Sequence, residues 1–208
     1  MRFEQTEFEL IKEMIRAYTW AERTMHTKLD IIHESLQEKE DLCPISHIHG
    51  RIKKTESIAD KLAKLGFELT AKNAKEQIKD IAGIRIICPY AKDIVFMVDM
   101  LKELPDCEVV SEKDYVTNPK SSGYRSYHLI INVSVFHSGK TEKLPIEVQL
   151  RTEAMNFWAT LEHQAKYKYK NQIPQHLSDE LIICADKISE LDNRMYLIHE
   201  IISLINEE

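Results

Sequence analysis

Two acidic residues stand where the surrounding pattern disfavours acids. Glu147 lies inside the alternating run LPIEVQLRT, and Asp80 stands just ahead of the apolar run GIRIIC. A strand interior disfavours a carboxylate unless a partner compensates its charge. Two carboxylates on adjacent strands would repel each other, and a divalent cation relieves that repulsion while leaving positions for phosphate oxygens. Mg²⁺ is the natural ion for such a pair. The cations that could meet those phosphates lie nearby in sequence. In HGRIKKTESIADKL, Arg51 and Lys53 alternate onto one strand face, and Lys61 follows Ser57 by one helical turn. Arg85 sits in the middle of GIRIIC, and together the four cations could clamp a triphosphate.

The stretch YVTNPKSSGYRSYHL, residues 115–129, adds a different capacity. Asn118, Pro119, the serine pair and Gly123 are turn residues, so the segment reads as a surface loop. Its cargo of Lys120, Tyr124, Arg125 and His128 suits a planar, negatively charged ligand, the ring stacking on a base while cations meet phosphate. A nucleotide fits. The same residues also suit a solvated hairpin whose tyrosines pack on neighbours, and the charge pattern alone leaves both readings open.

Strand alternation shows how these groups reach one another. Ile146, Val148 and Leu150 point one way and Glu147, Gln149 and Arg151 the other; Leu129, Ile131, Val133 and Val135 share a face opposite His128, Asn132 and Ser134. Ile84, Ile86 and Cys88 likewise oppose Arg85. One sheet face is apolar and the other carries charge, although a solvated polar face gives the same pattern.

The remaining chain supplies the frame. Strands are expected near 48–52, 83–88, 108–115, 127–136 and 144–151. Helices are expected at 57–65 (capped by Thr55 or Ser57), 74–81, 92–104 and 152–170. Long amphipathic helices flank them, an N-terminal one over about 3–40 with Glu22 interrupting its apolar row, and a C-terminal one over about 176–206 with a heptad seam from Leu177 to Ile205. The fold class is α+β: a mixed sheet of about five strands flanked by helices, with a core over about 45–170 and no linker dividing residues 1–208. Met155, Phe157, Trp158 and Leu161 are expected in the core, and His163 in a hydrogen bond within the fold. A formal charge of −6 argues against general attraction to nucleic acid, so a phosphate ligand needs a local basic cluster. The four cysteines lack a CxxC pair and read as reduced thiols. The N-terminus has no leader-like apolar stretch and no window has membrane-span length, so the cytoplasm is the expected compartment.

Taken in order, HGRIKKTESIADKL, KDIAGIRIICPY, DYVTNPKSSGYRSYHL, IEVQLRT and FWATLEHQAKYKY resemble the RelA/SpoT-type synthetases, and among them the small alarmone synthetases. The resemblance covers about residues 48–169. It implies a nucleotidyltransferase-like fold and transfer of the pyrophosphoryl group of ATP to the 3′-hydroxyl of GDP or GTP, giving AMP and ppGpp or pppGpp. By the same resemblance Arg51, Lys53, Ser57, Lys61 and Arg85 are ATP ligands, and Asp80 and Glu147 hold Mg²⁺. Glu147 is also the base for the 3′-hydroxyl. Tyr124 is the guanine-stacking ring, and Lys120, Arg125, His128, Gln149 and Asn156 complete the GDP/GTP site.

Departures from the larger members also carry expectations. Their hydrolase domain has histidine-aspartate metal motifs that nothing here matches, His47 and His49 having no such pair, so synthesis without hydrolysis is expected. Ser111-Glu112-Lys113-Asp114 matches neither large-enzyme version of the charged motif that accompanies metal preference. The terminal helices suit a homotetramer, as in the family's small members, or packing on the chain's own sheet. An allosteric guanosine polyphosphate and single-stranded RNA are left open as further partners. The alternative from another class is a non-catalytic nucleotide or RNA sensor, which would commonly lack one metal carboxylate.

Overall fold

The computed structural model describes residues 6–38, 43–169 and 173–206. Eleven elements follow in the order α1 Glu7–Gln37, β1 His47–Ile52, α2 Thr55–Lys64, α3 Ala71–Gln77, β2 Ala82–Cys88, α4 Ala91–Lys102, β3 Cys107–Asp114, β4 Tyr127–His137, β5 Lys140–Thr152, α5 Glu153–Lys168 and α6 Gln175–Asn206. The five strands form one sheet in the order β1-β2-β5-β4-β3, with only the β2–β5 pair parallel. That parallel pair places Gly83 beside Glu147 and Arg85 beside Gln149, while the antiparallel β4–β5 pair sets His128 opposite Gln149.

The alternation resolves as expected. Ile84, Ile86, Leu129, Ile131, Val133, Ile146, Val148 and Leu150 are buried in one apolar layer, which α1, α2 and α4 close with Tyr18, Met25, Leu29, Ile58, Met97 and Leu101. Each large side chain fully removed from water there contributes roughly 1.5–3 kcal/mol. Glu22 breaks the α1 row for a steric reason. Its carboxylate packs so closely on Gly50 of β1 that a Cβ there would overlap it, and His26 Nδ1 lies 3.1 Å from the same oxygen.

Several boundaries move from the sequence expectation. The third helix is 71–77 rather than 74–81, because the Thr70 hydroxyl accepts from Asn73 N and Ile78 turns extended, carrying Asp80 out of the helix. Neither Thr55 nor Ser57 caps α2; its N-cap is Lys54, without a side-chain bond. Helix α5 buries Met155, Trp158, Ala159 and Glu162, whereas Phe157 and Leu161 fall on the opposite side and are exposed, contrary to the expected core. Helix α6 does not lie on the sheet. Leu181, Ala185 and Ile188 pack against Trp158 and Tyr124, and beyond them Leu191, Met195, Ile198, Ile202 and Ile205 are at least half exposed. Stacking of Tyr90 on His199 and the Lys92–Glu200 ion pair fix its far end to α4. All four cysteines are free. Among the described residues no helix is long and apolar enough to cross a membrane.

Candidate active site

The polar sheet face opens into two cavities that meet at one carboxylate. The first, of about 150 Å³, lies over β1 and β2 and is lined by His49, Arg51, Arg85, Gln149 and Glu147. The second, of about 380 Å³, lies toward β3 and β4 and is lined by Lys61, Asp80, Tyr115, Lys120, His128 and again Glu147. Ser111, Glu112 and Lys113 edge this second cleft. A third groove, of about 620 Å³, runs between α2 and α5 past Ser57 and shares Lys61 with the second.

Asp80 is held by two cations. Lys53 Nζ donates to one carboxylate oxygen at 2.6 Å and Lys61 Nζ to the other at 2.8 Å. The backbone brings them together, since Lys53 N donates to Ile81 O at 2.8 Å just beyond the end of β1. Burial, the largest single influence, pushes the Asp80 carboxyl up, but the bonds and charges of the two lysines outweigh it and hold it below the usual carboxylate range. Glu147 follows the same logic. Burial pushes it up and so does the charge of Asp80, while His128 and the hydrogen bond from Gln149 bring it down, with a lowered pKa as the net result. His128 Nδ1 lies 3.2 Å from one Glu147 oxygen and Gln149 Nε2 donates to the other at 2.8 Å.

Three guanidiniums crowd the first cavity. Burial, then the charges of Arg151 and Arg51, lower the Arg85 pKa, and Arg85 Nη1 donates to Asn156 Oδ1 at 3.3 Å. Like charges held together in a half-buried site favour an anionic ligand.

The acceptor-type loop is built on turn hydrogen bonds. Val116 N and Thr117 N donate to Asp114 Oδ1, Gly123 N to Lys120 O and Lys120 N to Tyr124 O. Lys120 Nζ sits 4.6 Å from the Tyr115 ring centroid and 4.9 Å from that of Tyr124. Gly123 is indispensable to this arrangement. Its φ is +87°, and a Cβ would come within 2.6 Å of Ala185 Cβ on α6. Gly123→Ala is therefore expected to cost about 2 kcal/mol, from the left-handed backbone and the overpacked contact together. The check is thermal melting beside the Michaelis constant for the guanine nucleotide, which should rise about tenfold for a loss of that size.

The residues singled out from sequence thus divide. Arg51, Arg85, Gln149 and Glu147 share one cavity; Lys61, Asp80, Lys120, His128 and Glu147 share the other. Lys53 stands behind Asp80, Ser57 lines the α2–α5 groove, and Asn156 holds Arg85. Tyr124 is half-buried, with its hydroxyl bonded to His128 and Arg151, and Tyr115 lines the cleft beside it. Arg125 turns away from the cleft, donating to Val116 O at 3.0 Å and facing Asp186 at 3.7 Å. His163 is exposed on the α2–α5 groove, and its side chain makes no hydrogen bond among the described residues, against expectation. Sequence reasoning missed Arg151 and Tyr115 as site residues. The alternation of β5 had put Arg151 on the polar face, the one signal that pointed to it.

Residues 50–172 match the family described as the region found in RelA and SpoT proteins, and the chain belongs to that family. It is 42% identical over 191 residues to the GTP pyrophosphokinase YwaC of Bacillus subtilis (strain 168), covering 92% of this chain and 91% of that one. The crystal structure of small alarmone synthetase 1 from Bacillus subtilis bound to its product pppGpp superposes with a TM-score of 0.85 at 34% identity, over 91% of this chain and 96% of that one. The same synthetase bound to AMPCPP gives a TM-score of 0.79 at 30% identity, over 92% and 97% of the two chains.

Proposed function

We propose that the chain is a GTP pyrophosphokinase, transferring the pyrophosphoryl group of ATP to the 3′-hydroxyl of GDP or GTP and releasing AMP with ppGpp or pppGpp. The observation that carries this reading is that Glu147 faces both cavities at once, one lined by arginines and one by Asp80, Lys61, Lys120 and His128. A base placed between donor and acceptor is what in-line transfer needs, since such chemistry depends on positioning and charge stabilisation more than on covalent help.

On this reading ATP lies with its base end at Arg51 and Arg85 and its phosphates toward Lys53, Ser57 and Lys61. The acceptor lies in the second cleft, its guanine against Tyr124 and near Asn156 and Gln149, its phosphates near Lys120 and His128. Arg125 supports the loop through Val116 O without touching the nucleotide. Asp80 and Glu147 fit Mg²⁺: they are oxygen donors in one cleft, close enough for the charge of one to raise the pKa of the other. The ion, when bound, neutralises charge on the phosphate oxygens and lowers the pKa of the attacking hydroxyl. Glu147, ionised near neutral pH, accepts the proton as the 3′-oxygen attacks the β-phosphorus, and the bond from that phosphorus to the α–β bridging oxygen breaks to leave AMP. A non-catalytic sensor would not need both carboxylates.

The exposed apolar row of α6 favours self-association through that helix, and we include a cytoplasmic homotetramer in the proposal. The test is incubation with ATP, Mg²⁺ and GDP or GTP, followed by chromatography and light scattering. AMP and a 3′-pyrophosphorylated guanosine in equal amounts are expected. Release of free pyrophosphate in place of that product would replace the reading with nucleotidyl transfer.

A further inference from the structure

Arg151 is 5% exposed and, among the described residues, has no carboxylate within ion-pairing distance. A buried guanidinium is costly unless its donors and its charge are met. Here they are met at one remove, through two hydrogen-bonded arms that converge on Glu147. In the first, Arg151 Nη2 donates to Tyr124 Oη at 2.7 Å, Tyr124 Oη lies 2.8 Å from His128 Nε2, and His128 Nδ1 lies 3.2 Å from Glu147 Oε1. In the second, Arg151 Nη2 donates to Gln149 Oε1 at 3.1 Å, and Gln149 Nε2 donates to Glu147 Oε2 at 2.8 Å.

The chemistry of the two ends fixes the direction of every link. A guanidinium only donates and an ionised carboxylate only accepts, so each group between them accepts on the Arg151 side and donates on the Glu147 side. The Tyr124 hydroxyl, having accepted from Arg151, directs its own hydrogen at His128 Nε2. The imidazole proton then sits on Nδ1, facing Glu147. Paired strands hold the ring in place, because His128 and Gln149 are direct partners across β4 and β5, and Ser126 Oγ both donates to Leu150 O and lies 3.4 Å from Arg151 Nε.

We infer that Arg151 is a positioning residue that aims both oxygens of Glu147, and that the Tyr124 hydroxyl ties the acceptor's stacking ring to the proton-accepting carboxylate. A stacking role alone would be served equally by phenylalanine, since the π-face is unchanged. The hydroxyl gives the tyrosine a second task that acts on kcat. What Glu147 does in turnover rests on the function proposed above, whereas the hydrogen-bonded ring itself is visible without turnover.

The experiment combines two readouts on the full chain, for wild type, Tyr124→Phe and Arg151→Lys. Long-range ¹H–¹⁵N spectra of ¹⁵N-histidine-labelled protein, free of nucleotide and metal, report which nitrogen of His128 carries the proton. Steady-state kinetics with GDP varied at saturating ATP and Mg²⁺ separate kcat from KM. Expected are an Nδ1–H tautomer in wild type and its loss in both variants. For Tyr124→Phe the GDP KM should stay within about twofold while kcat falls about tenfold, the size of one lost hydrogen bond. Arg151→Lys, which cannot fork toward both arms, should lower kcat about a hundredfold, the size of two such bonds. An Nε2–H tautomer in wild type, or Tyr124→Phe with wild-type kcat, overturns the inference, and Tyr124→Phe remains decisive even if Arg151→Lys fails to fold. A wild-type chain with the Nδ1–H tautomer but no transferase activity supports the ring and sinks the functional reading instead.

Discussion

Glu147→Gln is expected to lower the rate of AMP and alarmone formation by about 10³-fold or more while leaving a folded protein that still binds nucleotide. Two losses combine: a general base contributes about 10²–10⁴-fold, and a neutral amide also removes half of the carboxylate pair expected to hold Mg²⁺. The structural cost is small by comparison. Glutamine keeps the shape, and one oxygen still accepts from the His128 side, but the amide nitrogen faces the Gln149 Nε2 donor that now serves Glu147 Oε2 at 2.8 Å. Losing that bond costs about 1 kcal/mol, or roughly 2–4 °C of melting temperature for a chain of this size. Product chromatography beside a thermal melt and calorimetric binding of an ATP analogue separates the effects. A variant within tenfold of wild type would remove Glu147 from the chemistry.

Asp80→Asn should be nearly as damaging to turnover, by about 10²–10³-fold, corresponding to several kcal/mol of lost metal-dependent charge stabilisation. It should also do something a plain loss of function would not. Lys53 and Lys61 both donate to Asp80, and with a neutral partner they are freer to meet phosphate. Metal-free binding of an unreactive ATP analogue is therefore expected to tighten while turnover falls. Acid stability gives an independent readout. The folded Asp80 carboxyl is held below its ordinary range, so its contribution to stability is fully present above the unfolded value of about 3.9 and is lost as pH falls through the lower folded value. Wild-type melting temperatures should drop below about pH 4 with a component that Asp80→Asn lacks, as melts between about pH 2 and 5 would show.

Much of this site could be read from strand periodicity. Because successive side chains in β2, β4 and β5 alternate, the sequence alone put Arg85, His128, Glu147 and Gln149 on one face. The pairing of β2 with β5, not readable from either strand by itself, then set Arg85 beside Gln149. Loop residues resisted the same treatment. Arg125 has no period to fix its direction, and its turn toward Val116 O depends on where α6 lies. Arg151 was assigned a face but no task, because its partners Tyr124 and Gln149 come from a loop and a strand whose approach only the fold determines. Phe157 and Leu161 were legible but misread, since burial at Met155, Trp158, Ala159 and Glu162 follows the helical period and leaves them on the far side. The heptad row of α6 specifies an apolar face without naming what covers it.

A crystal structure of the ternary complex with Mg²⁺, GDP and an unreactive ATP analogue tests most directly whether Glu147 is the shared boundary of donor and acceptor. The GDP 3′-hydroxyl should lie within about 2.6–3.2 Å of a Glu147 oxygen, the usual reach of a base, with the donor's base between Arg51 and Arg85. A 3′-hydroxyl turned away from Glu147, or a donor bound outside the arginine cavity, would contradict the assignment.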